Sequence, residues 1–360
     1  LLLKHLLYGS NSGCQELPYT GIIQGATFID RECLMSNLSL KLTLYALTTG
    51  LCVLSPETAT GQTLADETAW EVPRMADGRP DLQGVWDFRS LTPLERPSHL
   101  GGQDVFTEEE AAEFAEERLA TLDKDQPGPD GRIPLSGGYN DFWWDYGRQL
   151  TNDRRTSLIV DPPTGRIPAR SPESRARSEI RRTELARDAH GPEDRGAFER
   201  CILGFNAGPP MNPSAYNNNM QLFQTSDHIV ILNEMVHDAR VIPINGSDHL
   251  PSHIRQWRGD SRARWTDDIL IVETNNFTEK TSFRGSSENL LLIERFSRVA
   301  ADTLLYEYTV HDADSFARSW TVSVPMHRND QPIYEYACHE GNYGMTNLLV
   351  SARVRDDTTQ

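Results

Sequence analysis

Residues 216–344 are a succession of short apolar runs separated by turn residues, and no stretch of helical period interrupts them. This constrains the fold more than any other feature. A parallel sheet needs crossover connections of about a dozen residues or more, usually helical, and none is available here. Strands are expected at 220–225, 228–236, 239–244, 262–265, 269–277, 290–299, 303–311, 319–325 and 333–338. Turns are expected at Ser226-Asp227, Asn245-Gly246, 266–268 and 300–302. About eight or nine short strands joined mainly by hairpins predict an all-β fold, a lipocalin-like antiparallel barrel or meander with helical and loop insertions.

Within these strands the period-two alternation puts Glu273 on a face with Ile269 and Ile271. It puts Glu294 with Leu290, Leu292 and Phe296, and Glu307 with Leu305. If those apolar faces point inward, the carboxylates share a lumen. If the strands are half-solvated, the glutamates lie outside, where arginines such as Arg295 can pair with them.

Ahead of the meander, 82–88 reads as a strand after the turn cluster 77–81. Thr107 and Glu110 form a capping-box pattern before a helix over 111–122. A strand is expected over 154–160. Ser171-Pro172 opens a second, heavily charged helix running to about 189. Residues 139–146 set four aromatics beside two aspartates. Tyr139, Trp143 and Trp144 are candidate ligand-stacking groups, or alternatively a plug of packed rings.

Residues 1–34 contain no methionine. Met35 is followed by a short polar stretch with Lys41, an apolar run over 42–54, and Ala59-Thr60-Gly61. These are the parts of a secretory signal, so the mature chain is expected to begin near Gln62 in a secreted or periplasmic protein. The expected organisation is an upstream segment 1–34, a signal 35–61, and one domain over 62–360. In that domain, 62–215 wraps and 216–354 holds the meander. The apolar run is too short to span a bilayer.

The chain carries a formal net charge of −17. That balance argues against nucleic acid and anionic membrane surfaces as partners, and leaves a small molecule as the expected one. Of the five cysteines, Cys201 and Cys338 lie beyond the leader; they form either one disulfide or two buried thiols.

Candidate chemistry collects at strand ends. His237, Asp238 and Arg240 form one group, and His339 and Glu340 follow Cys338 as another, both suited to acid–base catalysis. Asn217, Trp257 and Glu294 join the aromatics as candidate substrate-binding residues. His249 and His253 have a metal-ligand spacing, but Pro251 lies between them and no capped helix surrounds them. Gly259-Asp260-Ser261 has the form of a nucleophile motif without the strand–helix alternation such a serine needs. There is no dinucleotide fingerprint, phosphate loop, paired-cysteine or haem motif, so no organic cofactor is expected, and a divalent metal is at most a minor expectation.

Gly84-x-Trp86 resembles the first-strand signature of lipocalin-like barrels. More of the chain resembles a large family of secreted bacterial proteins of uncharacterised activity. The resemblance rests on HLPSHIRQWRGDSRARW at 249–265, VETNNF at 272–277 and YEYACHEGNY at 334–343, with RTSLIVDPP at 155–163 and LQGVW at 82–86. It implies an exported protein of one family with residues 1–61 outside the fold, and carries no catalytic residue over. The expected function is an exported hydrolase or lyase using acid–base chemistry on a small carbohydrate or aromatic compound. The alternatives are a lipocalin-like ligand binder and a cell-envelope interaction protein.

Overall fold

Strand β1 (Gly84–Asp87) enters a sheet that the rest of the chain builds around it. A computed structural model describes residues 70–123 and 145–358; Tyr139, Trp143, Trp144 and the expected signal lie outside them. Helix α1 (Glu108–Leu122) follows, its Thr107–Glu110 capping box formed in both directions. Next come β2 (Ile159–Asp161) and α2 (Pro172–Ala186), with Ser171 as its N-cap. The meander comprises β3 (Asn219–Gln224), β4 (His228–Asn233), β5 (Ala239–Pro243), β6 (Asp260–Thr266) and β7 (Ile269–Asn275). It continues through β8 (Leu291–Ala300), β9 (Thr303–His311) and β10 (Trp320–Asn329).

These form one ten-stranded sheet in the order β5-β4-β3-β1-β10-β9-β8-β7-β6, with β2 added beside β10. Every ladder is antiparallel. The fold is therefore all-β with minor helices.

The barrel expectation is corrected. Among the described residues no ladder joins β5 to β6, so the sheet is open. The expected Asn245-Gly246 hairpin turn is only a bend, with Gly246 at φ 69° and the Ser247 amide donating to Asn245 Oδ1. It does not pair β5 with β6; a loop to residue 259 lies between them. The two edge strands nonetheless lie near one another and contribute to one core, Ile242 from β5 and Ala263 from β6.

Two other expectations change. Residues 333–338 join no ladder, and a helix that the sequence did not announce, α3 (Tyr343–Thr358), follows them. The expected strand over 154–160 shortens to β2, with a lone bridge between Val105 and Arg155.

The core lies on the concave face. β9 sends Leu304, Tyr306, Tyr308 and Val310 inward, and β10 sends Trp320, Val322, Val324 and Met326. Trp86 is fully buried among them, its Nε1 donating to Leu82 O at 2.9 Å. Burial of one such ring contributes on the order of 3 kcal/mol.

The alternation also settles the three glutamates. Glu294 is completely buried with Leu292 and Phe296, whereas Glu273 and Glu307 stand on the outer face with the less buried residues of their strands.

One irregularity positions the site described below. β10 pairs with β2 at Thr321 and Val322 and with β1 at His327–Asn329. Pro325, which has no N–H to donate, falls in the interval between those partners.

Candidate functional site

The strand-end residues singled out in the sequence fall into separate groups. Arg240 points into the core and donates to both oxygens of Glu294, at 2.7 and 3.0 Å. Tyr306 Oη donates to Glu294 Oε1 at 2.8 Å and accepts from the Met211 amide at 3.2 Å. Burial alone would depress the Arg240 pKa; the Glu294 carboxylate reverses that and raises it. Burial, then the same carboxylate, pushes the Tyr306 hydroxyl well above its usual value.

Asp238 is buried beside the Arg258 guanidinium. Burial raises its pKa, and Arg258 opposes the rise. Arg258 also donates to the Ala239 carbonyl at 3.3 Å. Asp238–Arg258 thus links β5 to the segment entering β6, where backbone pairing is missing.

His237 is exposed, with Nδ1 3.2 Å from the Tyr336 carbonyl and 3.5 Å from Glu335. His339 and Glu340 are exposed beyond the Cys201–Cys338 disulfide, which has formed. No hydrogen bond or ion pair joins either of them to His237. Trp257 lies under the Arg200 guanidinium at 5.7 Å. Asn217 adopts a left-handed φ of 55°, and its carbonyl accepts from Asn206. His249 sits between Asp260 at 3.0 Å and Glu273 at 3.5 Å, while His253 is exposed. Ser261 faces inward against Thr274 Oγ1 at 2.9 Å. Among the described residues no group of three or more His, Cys, Asp or Glu side chains is placed to hold a metal ion.

A cleft of about 750 Å³ lies elsewhere, on the convex face over the interval at Pro325. Its floor is the outward face of β1 and β10, where Asp87 and His327 are direct cross-strand partners. Such partners have Cβ atoms within about 5.5 Å of each other. Its walls are the end of α1, through Leu119 and Leu122, and the segment 145–151.

Arg89 organises the acidic groups. Its Nε donates to Asp87 at 2.6 Å, its amide to the other Asp87 oxygen at 2.9 Å, and its Nη1 to Asp145 at 2.7 Å. The hydrogen bond with Asp87 is the leading reason the Arg89 pKa is raised. Asp87 is thereby fixed in position beside His327. No hydrogen bond or ion pair joins Asp87 to His327; as a cross-strand neighbour the carboxylate can favour a charged imidazole through space, while His327 remains exposed to the cleft. The Tyr146 hydroxyl is raised by burial, with Arg118 opposing.

Sequence reasoning missed Asp87, Arg89 and His327. The first pair sits within the expected β1 strand and its exit, but His327 is 240 positions away, and only the β1–β10 register brings it there. The available signal was Pro325 in a strand otherwise suited to the sheet interior. Comparison with protein-family models, curated proteins and solved structures returned no match to this chain.

Proposed function

We propose that the protein is an exported enzyme that performs acid–base chemistry on a small carbohydrate or aromatic compound in the cleft over β1 and β10, as a hydrolase or lyase. The observation that supports this most is His327 opposite an Asp87 carboxylate held by Arg89, on the floor of a cleft of small-molecule size. In this reading His327 takes a proton from, or delivers one to, the substrate. Asp87 stabilises the imidazolium, and Arg89 fixes Asp87 in place. The curled sheet's concave side is filled by side chains such as Trp86, Tyr306 and Trp320, which favours an external cleft over a lipocalin-like lumen. Export is supported by the disulfide.

The test is turnover of a panel of small carbohydrates and aromatic compounds by the wild type and by His327→Gln. Loss of at least about 100-fold in kcat with binding retained is expected for a general acid–base residue. Undiminished turnover by His327→Gln would overturn the assignment. A second reading, binding without turnover, is favoured by the neutralisation of Asp87 by Arg89; it predicts that wild type and variant bind equally and neither turns over.

A further inference from the structure

The cleft shares Ser90, Leu122 and Tyr146 with the lining of a neighbouring pocket of about 200 Å³. Two arginines line that pocket, Arg118 from α1 and Arg284 from the loop between β7 and β8. Arg118 occupies an unusual position. The less exposed positions of α1 are Ala111, Phe114, Ala115, Arg118, Leu119 and Leu122, at the spacing of a helix face turned toward the protein. An arginine on that stripe carries its guanidinium into the pocket instead of bulk water. Arg284 is held at a left-handed φ of 55°, next to Phe283, whose ring packs on Tyr308 and Trp320.

Neither guanidinium has a hydrogen bond or ion pair to a carboxylate among the described residues. Around them are Asn212, which accepts from Tyr308 Oη at 2.6 Å, and the apolar side chains of Leu91, Leu94 and Leu158. Arg148, also without a carboxylate partner among the described residues, lines the main cleft. In that cleft Asp87 and Asp145 are already engaged by Arg89. Among the described residues the lining is therefore net positive in a chain of formal net charge −17. Arg118 is half-buried and Arg284 exposed, and the planar donor fork of each matches a carboxylate.

Resting on the cleft reading above, we infer that the substrate or ligand carries a carboxylate, bound by Arg118 and Arg284 in the inner pocket while its uncharged part extends toward His327. An acidic sugar or an aromatic acid meets that description.

Calorimetric titration with two matched pairs of probes, benzoate against benzamide and galacturonate against galactose, tests it. The variants are Arg118→Gln, Arg284→Gln and Gln149→Trp, the last placing a large ring at an exposed lining position of the main cleft. Arg118→Lys checks that charge rather than packing matters. Wild type is expected to prefer at least one acid over its neutral partner, and each Arg→Gln change to weaken that acid about tenfold or more, the size of one lost charge-assisted bond. Arg118→Lys is expected to restore part of the loss, and added salt to weaken the acid alone. If Gln149→Trp abolishes binding but neither arginine change alters the acid-to-neutral ratio, or if wild type shows no such preference, the carboxylate assignment fails and the cleft reading survives. If Gln149→Trp changes nothing, the probes bind elsewhere and both fail.

Discussion

Arg240 on β5 and Glu294 on β8 share two parallel hydrogen bonds inside the core, although 54 residues separate them in the chain. The Glu294 side chain has no solvent exposure and that of Arg240 has 10%. The pair lies across the curl of the sheet and joins strands that are not neighbours in its hydrogen-bonding order. With Asp238–Arg258 it holds the open edges together by side chains where no ladder exists.

Removing one partner leaves the other charge buried and uncompensated. Glu294→Gln and Arg240→Met are each expected to cost about 3–5 kcal/mol, and the double variant to recover a large part of the sum. Urea denaturation of all four proteins measures this. Single losses below about 1 kcal/mol would show that the edges are held by other contacts.

His311 supplies a pH dependence. Burial, and secondarily Arg295, lowers its pKa from 6.5, and Nδ1 lies 2.8 Å from Ser319 Oγ. Below its ordinary value the unfolded chain binds a proton that the folded chain resists. Its contribution to stability is thus complete above about pH 6.5 and is lost as pH falls from there through the lowered folded value. Melting temperatures of wild type and His311→Gln should converge on acidification through that window. Parallel curves would exclude a role for this group.

The Cys201–Cys338 bridge closes a loop across 137 residues and ties 331–342 against the region of Glu234 and His237. Its removal by paired Cys→Ser substitution is expected to lower stability by about 2–5 kcal/mol. Hydrogen exchange should quicken first at the Tyr336 and Asn342 amides, which donate to Glu234 O and His339 O. Unchanged protection there would mean that the segment docks without the bridge.

Gly259 leads into β6 at φ 68°, and a Cβ there would sit 2.5 Å from the Asn275 carbonyl oxygen. Gly259→Ala is expected to destabilise by at least about 1–3 kcal/mol, since the backbone conformation and the close approach both disfavour a side chain. The same measurement on Gly246→Ala, whose Cβ would meet nothing, separates conformational strain from the clash.

Much of the architecture was legible because it is local. The Thr107–Glu110 box, the Ser171-Pro172 start, and the hairpin turns at 266–268 and 300–302 are decided by neighbours a few residues apart, and each formed where expected. The strand expected at 333–338 failed because extended conformation needs a partner edge to become a ladder. That segment is instead tied down by the disulfide and by Tyr336 donating to Glu234 O.

By itself, then, the sequence determined the all-β class and most of the strands and hairpin turns, though not α3 or the ends of every element. Only the tertiary structure decided which face of each strand was the inside, because period-two alternation is symmetric until a packing partner breaks the tie. That choice buried Glu294 and left Glu273 and Glu307 outside. The strand order also set Asp87 beside His327 on the floor of the cleft, next to the pocket that Arg118 and Arg284 line.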